Sequence, residues 1–263
     1  MSHLEKQFHH TVKTETKKIV RLKKKISPHF DEELIHTFRT RIKRFRAILR
    51  WQHLEERVFT KSFKKVYHAA GDIRDGQVLI GKLSTAKNIP PQFLLWLNAR
   101  TSLAKKRWDD INDNDLQEWA KASGLQNINI RTQSPGSFYR KKLNLLKPDP
   151  AVIRMSDERL HRQRKAMKDI QYVMEWNEAN NTHKKKAGSS IKLVKSVSAK
   201  AGEYMDKANA LNLLNAWLRD EPDQKVSDVV RELQRVWQNE KRRERRGLLM
   251  EISLLQDQII SKN

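Results

Sequence analysis

The sequence predicts an all-α protein, and three observations carry the prediction. Only 8 of 263 residues are Gly and 7 are Pro. Leu, Ala, Lys, Arg, Glu and Gln, which lose little rotamer freedom in a helix, dominate the remainder. Apolar residues recur three and four positions apart along almost the whole chain, and the strict alternation of a half-buried strand is absent.

Taken in order, the periodicity predicts helices over Leu4–Lys25, Asp31–Leu54, Lys61–Ala70, Asp75–Leu83 and Pro91–Ala122. A Pro-Pro pair, whose fixed backbone suits a first helical turn, opens the last of these. Gly124, Pro135, Gly136, Pro148 and Pro150 then gather in one long stretch, Ser123–Pro150, which reads as an irregular linker. A second set follows over Ser156–Ala179, Ser190–Lys200, Asp206–Leu218 and Val226–Ile260, with a basic loop around His183–Ser190. The expected organisation is an N-terminal helical half over 1–125, a linker over 126–150 and a C-terminal helical half over 151–263.

Composition narrows the function classes. The formal charge of +23, from 54 Lys and Arg against 31 Asp and Glu, exceeds what solubility requires and points to a polyanionic partner. Nucleic acid, an anionic membrane and polyphosphate all qualify on charge alone. There is no cysteine, which excludes disulfides and thiolate metal sites. No apolar run approaches the roughly 20 residues that span a bilayer, and the opening residues lack a secretory signal pattern. A cytoplasmic protein that does not engage membranes is expected.

The two halves resemble each other. ELIHTFRTRIKRFRAILRW from Glu33 aligns without gaps to ERLHRQRKAMKDIQYVMEW from Glu158. Glu33, His36, Arg39, Lys43 and Trp51 meet Glu158, His161, Arg164, Lys168 and Trp176, while Ile35 and Phe45 meet Leu160 and Ile170. Each half also carries Gly-x-x-x-Asp further on, as Gly71 with Asp75 and Gly202 with Asp206. The pattern indicates a duplication.

Helical rotation sorts the repeated residues. With His36 at zero and about 100° per residue, Arg39, Lys43, Arg46 and Arg50 fall within roughly 80° of it. Phe38, Ile42, Phe45 and Leu49 cluster on the opposite side and are expected to face a core. In the second half His161, Arg164 and Lys168 repeat the basic stripe, and Met167, Ile170 and Met174 the apolar one. A solvated helix face would tolerate any polar residue, so identical His, Arg and Lys positions in two divergent halves favour a site. Arg44 and Tyr172 join it as candidate phosphate contacts. The remaining histidines, His3, His9, His10, His29, His53, His68 and His183, read as ordinary surface or core residues. For the Gly-x-x-x-Asp pairs the simplest reading is a glycine ending one helix and an aspartate capping the next. The alternative is that Asp75 and Asp206 orient arginines of the stripe.

HTFRTRIKRFRAILR from His36, GDIRDGQVL from Gly71, HRQRKAMKDIQYVMEW from His161 and GEYMDKANALNLL from Gly202 together resemble the motifs of the CHAD domain, the conserved histidine α-helical domain. The resemblance covers essentially the whole chain. It implies two related antiparallel bundles of about four helices each, with pseudo-two-fold symmetry and a central basic pocket or pore that binds inorganic polyphosphate. On this reading the chain is a non-catalytic binding module with no cofactor and no metal, associated in the cell with polyphosphate granules. One departure is that Asp169 and Gln171 stand where the family's second helix carries further basic residues, so the groove is expected to be asymmetric.

The residue types suit that ligand. Arg supplies a planar fork for phosphate oxygens and Lys a flexible point charge. Histidine adds a donor whose protonation is lowered by neighbouring Arg and raised by bound phosphate, which predicts tighter binding toward pH 6. Two rivals remain. A nucleic-acid binder would use the same charge, including KRRERR from Lys241. A di-iron bundle would use the Glu-x-x-His pairs Glu33/His36 and Glu158/His161, although Arg39 and Arg164 on the next turn would oppose a dication.

Overall fold

In a computed structural model the described residues are 3–83, 89–122, 134–146, 156–180, 188–220 and 224–260, and among them all regular structure is helical. The N-terminal half contains α1 (His3–Ile26), α2 (Glu32–Trp51), the single turn α3 (Glu55–Val58), α4 (Lys61–Leu83), α5 (Pro91–Asp109) and α6 (Asp113–Ala122). After these come α7 (Pro135–Asn144), α8 (Asp157–Asn180), α9 (Gly188–Asp220) and α10 (Gln224–Ile260).

The apolar stripe read on α2 forms the heart of the largest core. Phe38, Ile42, Phe45 and Leu49 are fully buried, as are Met167 and Ile170 on α8, whereas Met174 is only partly covered. That core gathers α1, α2, α4, α5 and α6 and also takes Phe138 from α7 and Val173 and Trp176 from α8. A second core joins Leu79, Leu83, Phe93 and Leu97 of α4 and α5 to Leu211, Leu214 and Trp217 of α9. A third lies between α8, α9 and α10. The first core is built mainly from the N-terminal half and the third from the C-terminal half, while the second joins the two.

Local sequence explains the helix ends. Asp31 caps α2, its side chain accepting from the Leu34 N–H at 2.8 Å. The chain leaves α2 through His53 in the left-handed region, φ 56°, while the Leu54 N–H returns to the Leu49 carbonyl at 2.8 Å. At the start of α8, Asp157 accepts from both Tyr204 of α9 and Lys241 of α10, fastening three helices at one carboxylate.

Four sequence readings require correction. The helix expected over Pro91–Ala122 is two helices, because the chain turns at 110–112. Asn112 accepts from the Asn114 N–H to open α6, and buried Lys23 donates to the Ile111 carbonyl and to Asp113 at 3.0 and 2.6 Å. The turn lets Trp119 come back to stack on Phe63, with ring centroids 4.1 Å apart.

The linker is not irregular throughout. Ser134 caps α7, Pro135 occupies its first turn and Phe138 is buried, so Pro and Gly here begin a helix rather than break one. Positions 126–133 and 147–150 lie outside the described residues.

The third and fourth corrections concern the paired glycines. Gly71 and Asp75 both lie inside the unbroken α4, and Gly202 and Asp206 inside the unbroken α9. Neither glycine ends a helix and neither aspartate caps one. A lone helical glycine costs only about 1 kcal/mol relative to alanine. Burial of Ala69, Ala70 and Ile73 around Gly71, and of Ala201 and Tyr204 around Gly202, keeps each helix continuous. Part of the basic loop read at His183–Ser190 lies outside the described residues, and 188–190 belong to α9.

Candidate anion-binding site

α2 and α8, the two copies of the repeated helix, pack against each other, flanked by α4 and α9. Equivalent positions meet at their contact: Trp51 and Trp176 are both buried and pack edge to face, with centroids 5.3 Å apart. The Trp176 indole N–H donates to Thr11 of α1 at 3.0 Å. Both indoles are packing elements.

Beside this contact the basic stripes divide into three groups. The first comprises Arg39, Lys43, His161 and Arg164. Lys43 is their centre, its ammonium pulled from 10.5 down to about 7, first by burial and then by Arg39 and Arg164, against the opposing pull of Asp206 and Asp75. Four helices thus act on one amine. Burial, then Lys165, Arg164 and Lys43, lowers His161 below the ordinary 6.5. Its Nδ1 and the Arg164 Nε are buried with no hydrogen-bond partner among the described residues. Arg39, Lys43 and Arg164 form no ion pair there either.

The second group is already neutralised. Arg46 donates to Glu55 at 2.6 Å, and Arg50 donates to Glu55 at 2.7 Å and through Nε to Asp169 at 3.0 Å. Asp169, nearly inaccessible, also accepts from Lys142 of α7 at 2.6 Å. The acidic departure at Asp169 in the second repeat is therefore paired with Arg50 of the first. Arg46 and Arg50 do not join the unpaired cluster.

The third group borders it. Arg44 pairs with Glu175 at 3.2 Å, and both Arg44 and Lys168 lie over the Tyr172 ring, 5.6 and 5.8 Å from its centroid. Lys168 also donates to Gln171 at 3.1 Å, and burial followed by the Arg164 charge lowers its ammonium below the ordinary value. His36 is exposed, 3.5 Å from the Thr40 hydroxyl. It lines a separate cavity of about 400 Å³ with Thr11, Glu15, Arg41, Arg44 and Tyr172. The paired histidines thus occupy different environments.

The aspartates flank the cluster. Burial raises the Asp75 carboxyl above its ordinary 3.8, Arg39 and Lys43 pull it down, and Asp206 and Asp72 push it up. Asp75 and Asp206 are close enough to feel one another and Lys43, while forming no hydrogen bond to it. Tyr67 was not singled out from sequence, yet Arg39 and Arg46 both lie over its ring, at 5.4 and 5.3 Å. The available signal was its place four residues before Gly71, visible once α4 is taken as one helix. Glu55 and Lys165, also missed, carry no signal in the repeat pattern.

Among the described residues, no three His, Asp or Glu side chains converge as a metal set, and no helix is long and apolar enough to cross a membrane.

A family model, the CHAD domain, matches residues 4–215, and the chain belongs to that family. Its fold is shared with the crystal structure of the CHAD domain from the plant Ricinus communis, with a TM-score of 0.68 over 94% of this chain and 91% of that one, at 17% identity. No curated protein matches the sequence. The family match ends within α9, so α10 lies beyond it.

Proposed function

We propose that this CHAD chain binds inorganic polyphosphate, without catalysis, at the cluster formed by Arg39, Lys43, His161 and Arg164. The observation that supports it best is that three cations from both repeats face one another without an ion-pair partner among the described residues. Like charges held together and partly desolvated raise the energy of the empty site. A phosphate chain, with closely spaced anionic groups, relieves that repulsion through charge-assisted hydrogen bonds. Lys168, Arg44 and Tyr172 continue the surface beside it. In this reading the halves are related by an approximate two-fold passing near the Trp51–Trp176 pair, and the protein accompanies polyphosphate in the cell.

A second reading, nucleic-acid binding, is favoured by one observation: Arg242, Arg243 and Arg246 are exposed on α10. Titrating the protein with long-chain polyphosphate, single-stranded RNA and duplex DNA at near-physiological salt separates the two. Polyphosphate is expected to compete best and to lose most of its affinity in Arg39→Ala/Lys43→Ala/Arg164→Ala. Equal binding of all three polymers, unchanged in the triple variant, would remove the pocket reading.

A further inference from the structure

Gly71 occupies the middle of a long helix, where glycine is among the poorest residues. Its backbone is not in the left-handed region, so conformational freedom does not account for it. Space does. A Cβ built there would lie 2.5 Å from Arg39 Nη1, and the next nearest atoms, Arg39 Cζ and Nη2, would be at 3.5 and 3.8 Å. All three belong to the guanidinium, which rests where a side chain would otherwise project.

Neighbouring turns of α4 complete this resting place. Tyr67, four residues earlier, places its ring 5.4 Å from Arg39 Cζ. Asp75, four residues later, has its carboxyl raised by burial, and the Arg39 charge is the strongest influence opposing that rise. Tyr67, Gly71 and Asp75 recur at the spacing that aligns side chains on one helix face. Arg39 therefore lies against α4, its guanidinium beside the bare backbone at Gly71 and over the Tyr67 ring, within electrostatic reach of Asp75.

We propose that Gly71 is a positioning residue for anion binding: by leaving α4 bare it lets the Arg39 guanidinium lie against the helix, facing Lys43 and the opposite repeat. The inference rests on the polyphosphate reading for its affinity consequence, but not for its geometry. Gly202, at the equivalent place in α9, would put a Cβ 3.5 Å from Arg164 Nη2, an ordinary contact. The close approach belongs to the first repeat.

The test compares Gly71→Ala with Gly81→Ala, on the same helix, where a Cβ meets nothing within 4 Å. Both replacements favour the helix intrinsically, so lost binding in Gly71→Ala without lost thermal stability cannot be ascribed to unfolding. Gly71→Ala is expected to weaken long-chain polyphosphate about tenfold, the loss of roughly one charge-assisted contact. Gly81→Ala should bind as wild type. Independently of any ligand, displacing Arg39 should raise the Lys43 titration midpoint, followed by NMR of its side chain, above about 7. Wild-type affinity together with an unmoved Lys43 midpoint in Gly71→Ala would overturn the proposal.

If Gly71→Ala melts early, an Arg39→Ala background decides. There the added methyl has room and should restore stability; continued destabilisation would show that Gly71 serves packing alone. Failure of the wild type to bind polyphosphate would sink the functional reading, whereas the Lys43 midpoint would still decide the role of Gly71.

Discussion

Arg50, from the first repeat, is bound to Asp169 of the second by two hydrogen bonds, through Nε at 3.0 Å and through Nη2. Asp169 is almost wholly inaccessible and also holds Lys142, so one carboxylate compensates two cations from α2 and α7. Removing one partner of such a buried network leaves uncompensated charge. Asp169→Ala is expected to lose about 3–5 kcal/mol of stability in urea unfolding. Because Arg50 lies outside the unpaired cluster, polyphosphate affinity of the folded variant should not fall.

The Trp51–Trp176 contact joins the halves through apolar packing instead. Trp176→Ala removes a buried indole and its bond to Thr11, with an expected loss of about 3–5 kcal/mol. A single cooperative transition, monitored by far-ultraviolet circular dichroism and by fluorescence of the remaining tryptophans, should accompany it, since the first and second cores draw on both halves.

Lys43 has the opposite effect on the empty fold. Its folded value of about 7 lies below the ordinary 10.5 of an unfolded chain, so between these values the unfolded state holds the extra proton. The Lys43 contribution to stability therefore rises with pH from about 7 toward 10.5, and its full penalty is present below about 7. Lys43→Met should raise stability at pH 7 by roughly 1–3 kcal/mol and flatten the alkaline part of the profile, as measured by denaturant melts across pH. The same variant should lose polyphosphate affinity. A stabilised variant that still bound normally would show that the charge is not used.

Binding should take up a proton. Phosphate oxygens beside Lys43 favour its ammonium form, so affinity is expected to decline as pH rises above about 7, by at most tenfold per unit for one proton. His161, held below 6.5, extends the gain toward lower pH. Calorimetry in buffers of different ionisation enthalpy would count the protons, and Lys43→Met should remove the neutral-to-alkaline part. The response expected from sequence keeps its direction, but the group facing Arg39, Arg164, Asp75 and Asp206 near neutrality is a lysine.

Much of the fold was legible because helical periodicity is local. Phe38, Ile42, Phe45 and Leu49 announced the buried face of α2, and the in-register repeat identified α8 as its counterpart. The errors arose where a local signal had two meanings. Ser134–Pro135–Gly136 reads equally as a breaker or as an N-terminus, and burial of Phe138 selects the latter. Gly71 reads as a helix end until the Arg39 guanidinium is seen occupying the space of its missing Cβ.

The sequence by itself determined the helical class, the recurrence of one motif in register, the basic character and the family motifs, since each is a matter of residue type and spacing along one chain. Only the tertiary structure decided which cations remain unpaired. Arg39, Arg46 and Arg50 share one stripe of α2, yet Glu55 and Asp169 neutralise the last two, while Arg39 lies against α4 and faces Lys43 and Arg164. Electrostatic partners are chosen by distance in three dimensions, and Arg50 and Asp169 stand 119 positions apart in the chain.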